Sequence, residues 1–214
     1  MSETNTKSGS YIGQAWLVIL LSLAFGAALA GVQTSLSGRI AQNKQAETYS
    51  VIPQLAPGAD ESKTAEFILT GKDGKEARVY QALASDGSPK GWVVPASGQG
   101  FGDVIELLIG LSPDLSTITG LYVINQKETP GLGDYITGQD FRDRFKGRPT
   151  DKPIVIVKSE PQTDNEVRAI TGATISSESV SGIVNTALAN LKEPIAQRSG
   201  PGAANLPAPG PATK

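Results

Sequence analysis

Two short segments carry side chains suited to ligand chemistry. The first is Thr171-Gly172-Ala173-Thr174-Ile175-Ser176-Ser177, placed directly before a run of helical periodicity. Its small residues let the backbone approach a ligand closely. Free N–H groups and the dipole at a helix start favour a phosphate there, and the hydroxyls add donors. The same residues also suit an ordinary helix cap, with Ser176 or Ser177 as the capping side chain. The second segment is Lys127-Glu128-Thr129-Pro130-Gly131-Leu132-Gly133. Pro-Gly-x-Gly forces a tight loop, and a carboxylate and a hydroxyl stand just before it at a strand end. Its ordinary reading is a turn with a solvated Glu.

The rest of the composition narrows what these residues can do. The chain has 214 residues and neither Cys nor His. That excludes disulfides, thiolate nucleophiles, Cys-held iron–sulfur clusters, Ser-His-Asp triads and His-ligated haem or copper. Chemistry must rest on carboxylates, hydroxyls, Lys, Arg, backbone dipoles or a bound organic cofactor. Glu128 has no carboxylate partner close in sequence, and no nucleophile–base pair is apparent, which counts against a hydrolase. Lys+Arg 19 against Asp+Glu 21 gives a net charge of -2, which is no nucleic-acid footprint.

The elements that must position these segments begin with a membrane span. No charged residue lies between Lys7 and Arg39. Residues 1–11 form a short N-terminal segment, and residues 12–33 read as a transmembrane helix. The apolar stretch from Ile12 to Val32 would span about 31 Å, the thickness of the hydrocarbon core. Tyr11 and Trp16 sit near one end, where amphipathic rings favour the interface. Ala28-Leu29-Ala30 has the form of a signal-peptide cleavage site. One Lys and one Glu precede the run, and the run is long, so a retained anchor is favoured. Flanking charge is near a tie and leaves the orientation open.

Residues 34–61 read as a helical extension and linker, ended by Pro53 and Pro57-Gly58. Residues 62–193 read as one globular domain. Within it 65–70, 77–83, 91–95, 104–111 and 118–125 read as strands of an antiparallel meander joined by tight turns. Residues 139–145 read as a short helix and 154–157 as a buried strand. Val180, Ile183, Val184, Ala187, Leu188 and Leu191 recur at helical spacing on one face, with Pro194 marking the end. Residues 194–214, rich in Pro, Gly and Ala, read as a disordered tail. The fold class is α+β: a single N-terminal transmembrane helix, then a domain with a mostly antiparallel sheet and flanking helices.

Gln126-Lys-Glu-Thr-Pro-Gly-Leu-Gly133, followed by Ala169-Ile-Thr-Gly-Ala-Thr-Ile-Ser-Ser177, resembles the FMN-binding domain of the G subunit of the Rnf ion-translocating electron-transport complex. It is similar also to the C subunit of the sodium-pumping NADH:quinone reductase. The resemblance covers the anchor and most of residues 90–192, and Gly98-Gln-Gly100-Phe-Gly102 resembles the family's Gly-rich loop. It implies covalent FMN, joined by a phosphoester to Thr174. Thr171, Gly172, Ala173, Ile175 and Ser176 would surround the phosphate. Glu128, Thr129 and the loop of Gly131, Leu132 and Gly133 would line the ribityl or ring side. Two positions depart from the family pattern: Arg168 stands where Asp is common, and Gln126 where His is often found.

The resemblance further implies an electron-carrier subunit, not catalytic alone, in a complex moving electrons between reduced ferredoxin and NAD with sodium or proton transport. Its partners would be other membrane and soluble subunits, a flavin transferase for maturation and the lipid bilayer, with no nucleic acid. The globular domain would face the extracytoplasmic side of the cell inner membrane. Two alternatives stay open: a membrane-anchored sensor holding FMN non-covalently, and a structural subunit without flavin, for which Arg168 is the best argument.

Overall fold

The computed structural model describes residues 11–199. The expectations for the segment before Tyr11 and for the tail beyond Ser199 lie outside the described residues. The chain divides into two compact units, residues 1–45 and 46–214. Helix α1 (Tyr11–Leu55) begins in the first. From Ala15 onward it is long and apolar enough, by length and composition, to cross a membrane. Its large apolar side chains from Trp16 to Val32 are exposed, as on a helix surrounded by hydrocarbon. Thr34, Ser35 and Ser37 donate their hydroxyls back to the carbonyls of Ala30, Val32 and Thr34 at 2.8, 2.9 and 2.8 Å. Those polar groups are therefore satisfied within the helix.

The second unit is built on a five-stranded antiparallel sheet in sequential order: β1 (Ala65–Thr70), β2 (Glu76–Leu83), β3 (Pro89–Gln99), β4 (Val104–Leu111) and β5 (Ile118–Asn125). After β5 come α2 (Gln139–Asp143), the parallel pair β6 (Val155–Val157) and β7 (Glu166–Arg168), and α3 (Thr174–Ser199). Helix α3 covers one face of the sheet. Val180, Val184, Leu188 and Ile195 join Val79, Trp92, Val94, Ile105, Leu107 and Ile109 in one core. The end of α1 covers the other face, where Val51, Ile52, Leu55 and Ala56 cluster with Tyr80, Ala82, Val93 and Leu108. Strand β4 is thus buried on both sides, which is why it reads as a near-continuous apolar run.

Glycines let α1 lie close on that second face. Gly110 and Gly120 are register partners in β4 and β5. A Cβ at Gly110 would stand 2.6 Å from the Leu55 carbonyl oxygen, and one at Gly120 2.9 Å from Leu55 Cδ2. The Thr119 hydroxyl donates to the Leu55 carbonyl, satisfying one of the orphan acceptors at a helix end.

Several boundaries differ from those read in the sequence. Residues 46–61 pack as part of the domain instead of linking to it, because the apolar face from Val51 to Ala56 needs the sheet to cover it. Pro53 lies inside α1; so near the helix end it removes one backbone bond without breaking the helix. Strand β3 extends to Gln99 through its full pairing with β4. The short helix ends at Asp143, and Phe145 just beyond still meets Phe141 edge to face with ring centroids 5.3 Å apart. Strand β7 has no counterpart in the sequence reading.

Pro194 does not end α3, which continues to Ser199 with Ile195 fully buried. The residue at 194 would ordinarily donate to the carbonyl of residue 190. Proline cannot, and the Asn190 carbonyl instead accepts the Lys72 N–H of the β1–β2 turn at 3.1 Å. Beyond it the Arg198 guanidinium stacks 4.5 Å over Phe67.

Candidate functional site

Three segments far apart in sequence meet at the start of α3. They are the 100–103 turn between β3 and β4, the 126–133 loop after β5, and the 171–177 turn into α3. Glycines mark their closest approaches. A Cβ at Gly102 would lie 2.5 Å from the Lys127 carbonyl oxygen, and one at Gly133 2.7 Å from Ser176 Oγ. Gly172, at φ +85°, brings the signature turn under Leu132, whose Cδ2 would stand 3.1 Å from an added Cβ. Gly131, at φ +75°, turns the second loop. That turn closes through the N–H groups of Leu132 and Gly133, which donate to the Thr129 carbonyl at 3.1 and 3.0 Å.

Between these segments lies a cleft of about 440 Å³, lined by Phe101, Thr129, Leu132, Gly133, Gly172, Ala173, Thr174 and Ile175. Its volume is in the ordinary range for a small-molecule site. Half-buried Thr174 is the first residue of α3. The first intrahelical bond runs from Ser177 N–H to the Ala173 carbonyl at 3.0 Å. The N–H groups of Thr174, Ile175 and Ser176 precede it and have no helical carbonyl one turn back. A row of such donors at a positive dipole end is what a phosphate requires. The lip of the cleft is apolar: Phe101, Leu132 and Ile175 are 62, 45 and 54 % exposed.

The residues singled out in the sequence thus separate into two groups. Thr129, Leu132, Gly172, Ala173, Thr174 and Ile175 come together at the cleft. Thr171 and Gly131 are exposed and do not line it; Gly131 shapes the loop. Glu128 is 4 % exposed and turned inward, contrary to a solvated or ring-facing carboxylate. Its Oε1 accepts the Gly102 N–H at 3.0 Å and its Oε2 accepts the Ser176 hydroxyl. Ser176 is buried as well, and a serine has one proton to donate, so it is not available to a phosphate as a donor.

Neither serine caps the helix, which begins before both. Ser177 Oγ accepts the Ile170 N–H at 3.1 Å and donates to the Ala173 carbonyl at 2.9 Å, pinning the turn from inside. Gly133, at the end of the expected 131–133 loop, also lines the cleft, whereas Phe101 is not anticipated as a lining residue. Phe101 stands between two glycines in a loop whose sequence signal is its glycines alone.

The two departures from the family pattern have local partners. Gln126 Oε1 accepts the Glu128 N–H at 2.5 Å and tightens the second loop. Arg168 forms an exposed ion pair with Glu160, while its carbonyl accepts from Arg144 Nη1 at 2.8 Å. At the surface Lys127 pairs with Asp103 at 3.0 Å, tying the first two loops together. The Val104 N–H and then Lys127 hold the Asp103 carboxyl below the usual carboxylate range.

A larger hollow of about 550 Å³ lies along α3, with Lys72, Lys152, Lys192, Asp151 and Glu193 on its walls. Lys72 is paired with Glu193 at 2.6 Å and Lys152 with Asp164 at 3.2 Å. None of the signature residues reaches it.

The family model of the FMN-binding domain matches residues 100–189, which include every residue lining the 440 Å³ cleft. The G subunit of an ion-translocating oxidoreductase complex from Methanosarcina acetivorans is 30 % identical over 172 residues, 80 % of this chain and 89 % of that one. The G subunit of the Na(+)-translocating ferredoxin:NAD(+) oxidoreductase complex of Acetobacterium woodii is 32 % identical over 185 residues, covering 80 % and 87 %. The crystal structure of the C subunit of the Na(+)-translocating NADH-quinone reductase from Parabacteroides distasonis shares the fold. Its TM-score is 0.56 at 21 % identity, over 72 % of this chain and 95 % of that one. With its cleft built from the matched segment and its similarity running through four-fifths of its length, the chain belongs to the G-subunit family of Rnf-type ion-translocating oxidoreductase complexes.

Proposed function

We propose that this chain is the membrane-anchored flavoprotein subunit of an Rnf-type ferredoxin:NAD oxidoreductase, with FMN held through a phosphoester on Thr174 Oγ. One observation carries the reading. The Thr174 hydroxyl opens α3 inside the cleft, beside three backbone N–H groups without helical partners. The donor set fits a phosphate, and Gly172, at φ +85°, lets the turn bend closely under Leu132 at the edge of the cleft.

The N–H groups of Thr174, Ile175 and Ser176 would hold the phosphate oxygens; in the attachment the Thr174 O–H bond would be exchanged for an O–P bond, with the proton and the group displaced from phosphorus leaving on the flavin donor's side. Thr129 offers its hydroxyl on the ribityl side. Phe101, Leu132 and Ile175 exclude water from an apolar wall. FMN, when bound, supplies the redox centre, and the protein supplies placement. A covalent link keeps the cofactor on the chain whatever its affinity in each redox state.

Residues 12–33 anchor the chain in the cell inner membrane, the globular domain faces the extracytoplasmic side, and the remaining subunits deliver and receive the electrons. A flavin transferase matures the chain. Protein co-expressed with such a transferase is expected to show a fluorescent flavin band on a denaturing gel, absent in Thr174→Ala. A band that survives that substitution overturns the attachment. Flavin present before denaturation and lost on it would favour non-covalent binding. Because the chain has no Cys, a single Lys158→Cys gives a clean topology probe. Labelling by a membrane-impermeant maleimide from the extracytoplasmic side supports the orientation, and protection there refutes it.

A further inference from the structure

The buried Glu128 carboxylate does something that neither the cleft lining nor the attachment residue explains. Its two oxygens serve opposite walls. Oε1 holds the Gly102 N–H, 26 residues away in sequence, and Oε2 holds the Ser176 hydroxyl, 48 residues away. The surrounding backbone is cut back to admit it. A Cβ at Gly100 would collide with Oε1 and one at Gly133 would stand 3.0 Å from Oε2. The loop on the first wall, Gly100-Phe101-Gly102, has intrinsic backbone freedom that must be removed by an anchor. One backbone bond, Gly100 N–H to the Asp103 carbonyl at 2.8 Å, closes its turn, and Phe101 projects from it with most of its surface exposed. On the second wall Ser176 sits in the first turn of α3, two residues beyond Thr174.

We propose that Glu128 is a positioning residue that sets both walls of the cleft with one side chain. It fixes the Phe101 loop and the first turn of α3 in one register. Burial makes it effective, since a carboxylate accepting charge-assisted bonds away from water holds its donors firmly. Removing it leaves the Gly102 N–H and the Ser176 hydroxyl without partners. A glutamine preserves the arrangement in a different way. Its amide oxygen accepts the Gly102 N–H, while its NH₂ donates to Ser176 Oγ, whose own proton is then released. The two walls therefore respond together to Glu128→Ala and are restored together by Glu128→Gln. This inference rests on the FMN reading only for its effect on flavin; the coupling itself belongs to the protein alone.

Hydrogen exchange on the full chain in detergent, made without a flavin transferase, tests it. Glu128→Ala is expected to raise exchange by about tenfold or more in both 98–103 and 171–177, leaving 104–111 unchanged. Glu128→Gln returns both to within about twofold of the parent. Ser176→Ala, which cuts one arm, speeds 171–177 and spares 98–103. A response to Glu128→Ala confined to one segment, or no rescue by Gln, overturns the coupling. Should Glu128→Ala expose the whole domain, Glu128→Asp carries the same comparison, because it keeps the charge but falls one methylene short of reaching both donors. With a transferase present, Glu128→Ala is expected to load about fivefold less flavin than the Gln variant. Full loading with both walls loose overturns the positioning role. A Thr174→Ala chain that kept its flavin band would refute the attachment and leave the exchange result standing.

Discussion

The two sides of the sheet use glycine for opposite ends. Beneath the end of α1, Gly110 and Gly120 remove side chains so that Leu55 can press directly on the strands, and the space is filled. At the start of α3, Gly100, Gly102, Gly133 and Gly172 also allow close approach, but what they admit is a carboxylate and a turn, and a cleft stays open beside them. The first region is apolar and closed. The second carries hydroxyls, free N–H groups and exposed apolar side chains. Packing of the α1 end and ligand chemistry are thereby assigned to different regions, and a change in one is expected to spare the other.

Deleting the covered helix end tests that division most severely. A fragment beginning at Glu61 loses Val51, Ile52, Leu55 and Ala56 and uncovers Tyr80, Val93 and Leu108. At about 1.5–3 kcal/mol for each large buried side chain, it is expected not to fold, whereas one beginning at Ala46 keeps the whole core and folds. Circular dichroism melts of the two fragments decide this, and a stable fragment from Glu61 would refute the division. Leu55→Ala is a milder cut, expected to cost about 2–4 kcal/mol in denaturant titration while the folded fraction still accepts flavin.

The converse substitution, Thr174→Ala, is expected to abolish the flavin band and move stability by less than about 0.5 kcal/mol. A large loss of stability would mean that the two faces are not independent. The smallest effect belongs to a turn outside both regions. The Ser112 and Ser116 hydroxyls and the Ser116 N–H hold the exposed Asp114 carboxyl down at about 2. A carboxyl lowered on folding contributes stability that is complete above the ordinary carboxylate range and is lost as pH falls toward about 2. Asp114→Asn is therefore expected to flatten the acid limb of the melting profile slightly, by lowering the neutral melting point a little while leaving the melting point near pH 2 close to the parent's. An unchanged acid limb would remove Asp114 from the account.

How much of this is legible in the sequence depends on how local each feature is. Strands β1, β4 and β5 have the bounds that the sequence predicts, because turn residues close each run on both sides. The Thr171–Thr174 signature is legible as a helix start for the same reason. What escapes is settled by partners distant along the chain. Strand β7 is three residues of Glu-Val-Arg, too short for periodicity, and exists through its pairing with β6. Nothing near Glu128 in sequence indicates that it turns inward, since its acceptor roles are filled by Gly102 and Ser176. The expectation that the Ser176 hydroxyl serves the phosphate fails for the same want of a visible partner.

Pro194 illustrates the point with a consequence for local fraying. The carbonyl that it frees on Asn190 is taken up by the Lys72 N–H of the β1–β2 turn, so the last turns of α3 are tied to the far end of the domain by a bond from outside the helix. Opening of that turn is expected to release the end of α3 with it, and the Lys72 amide and the last turn of α3 to exchange their hydrogens together.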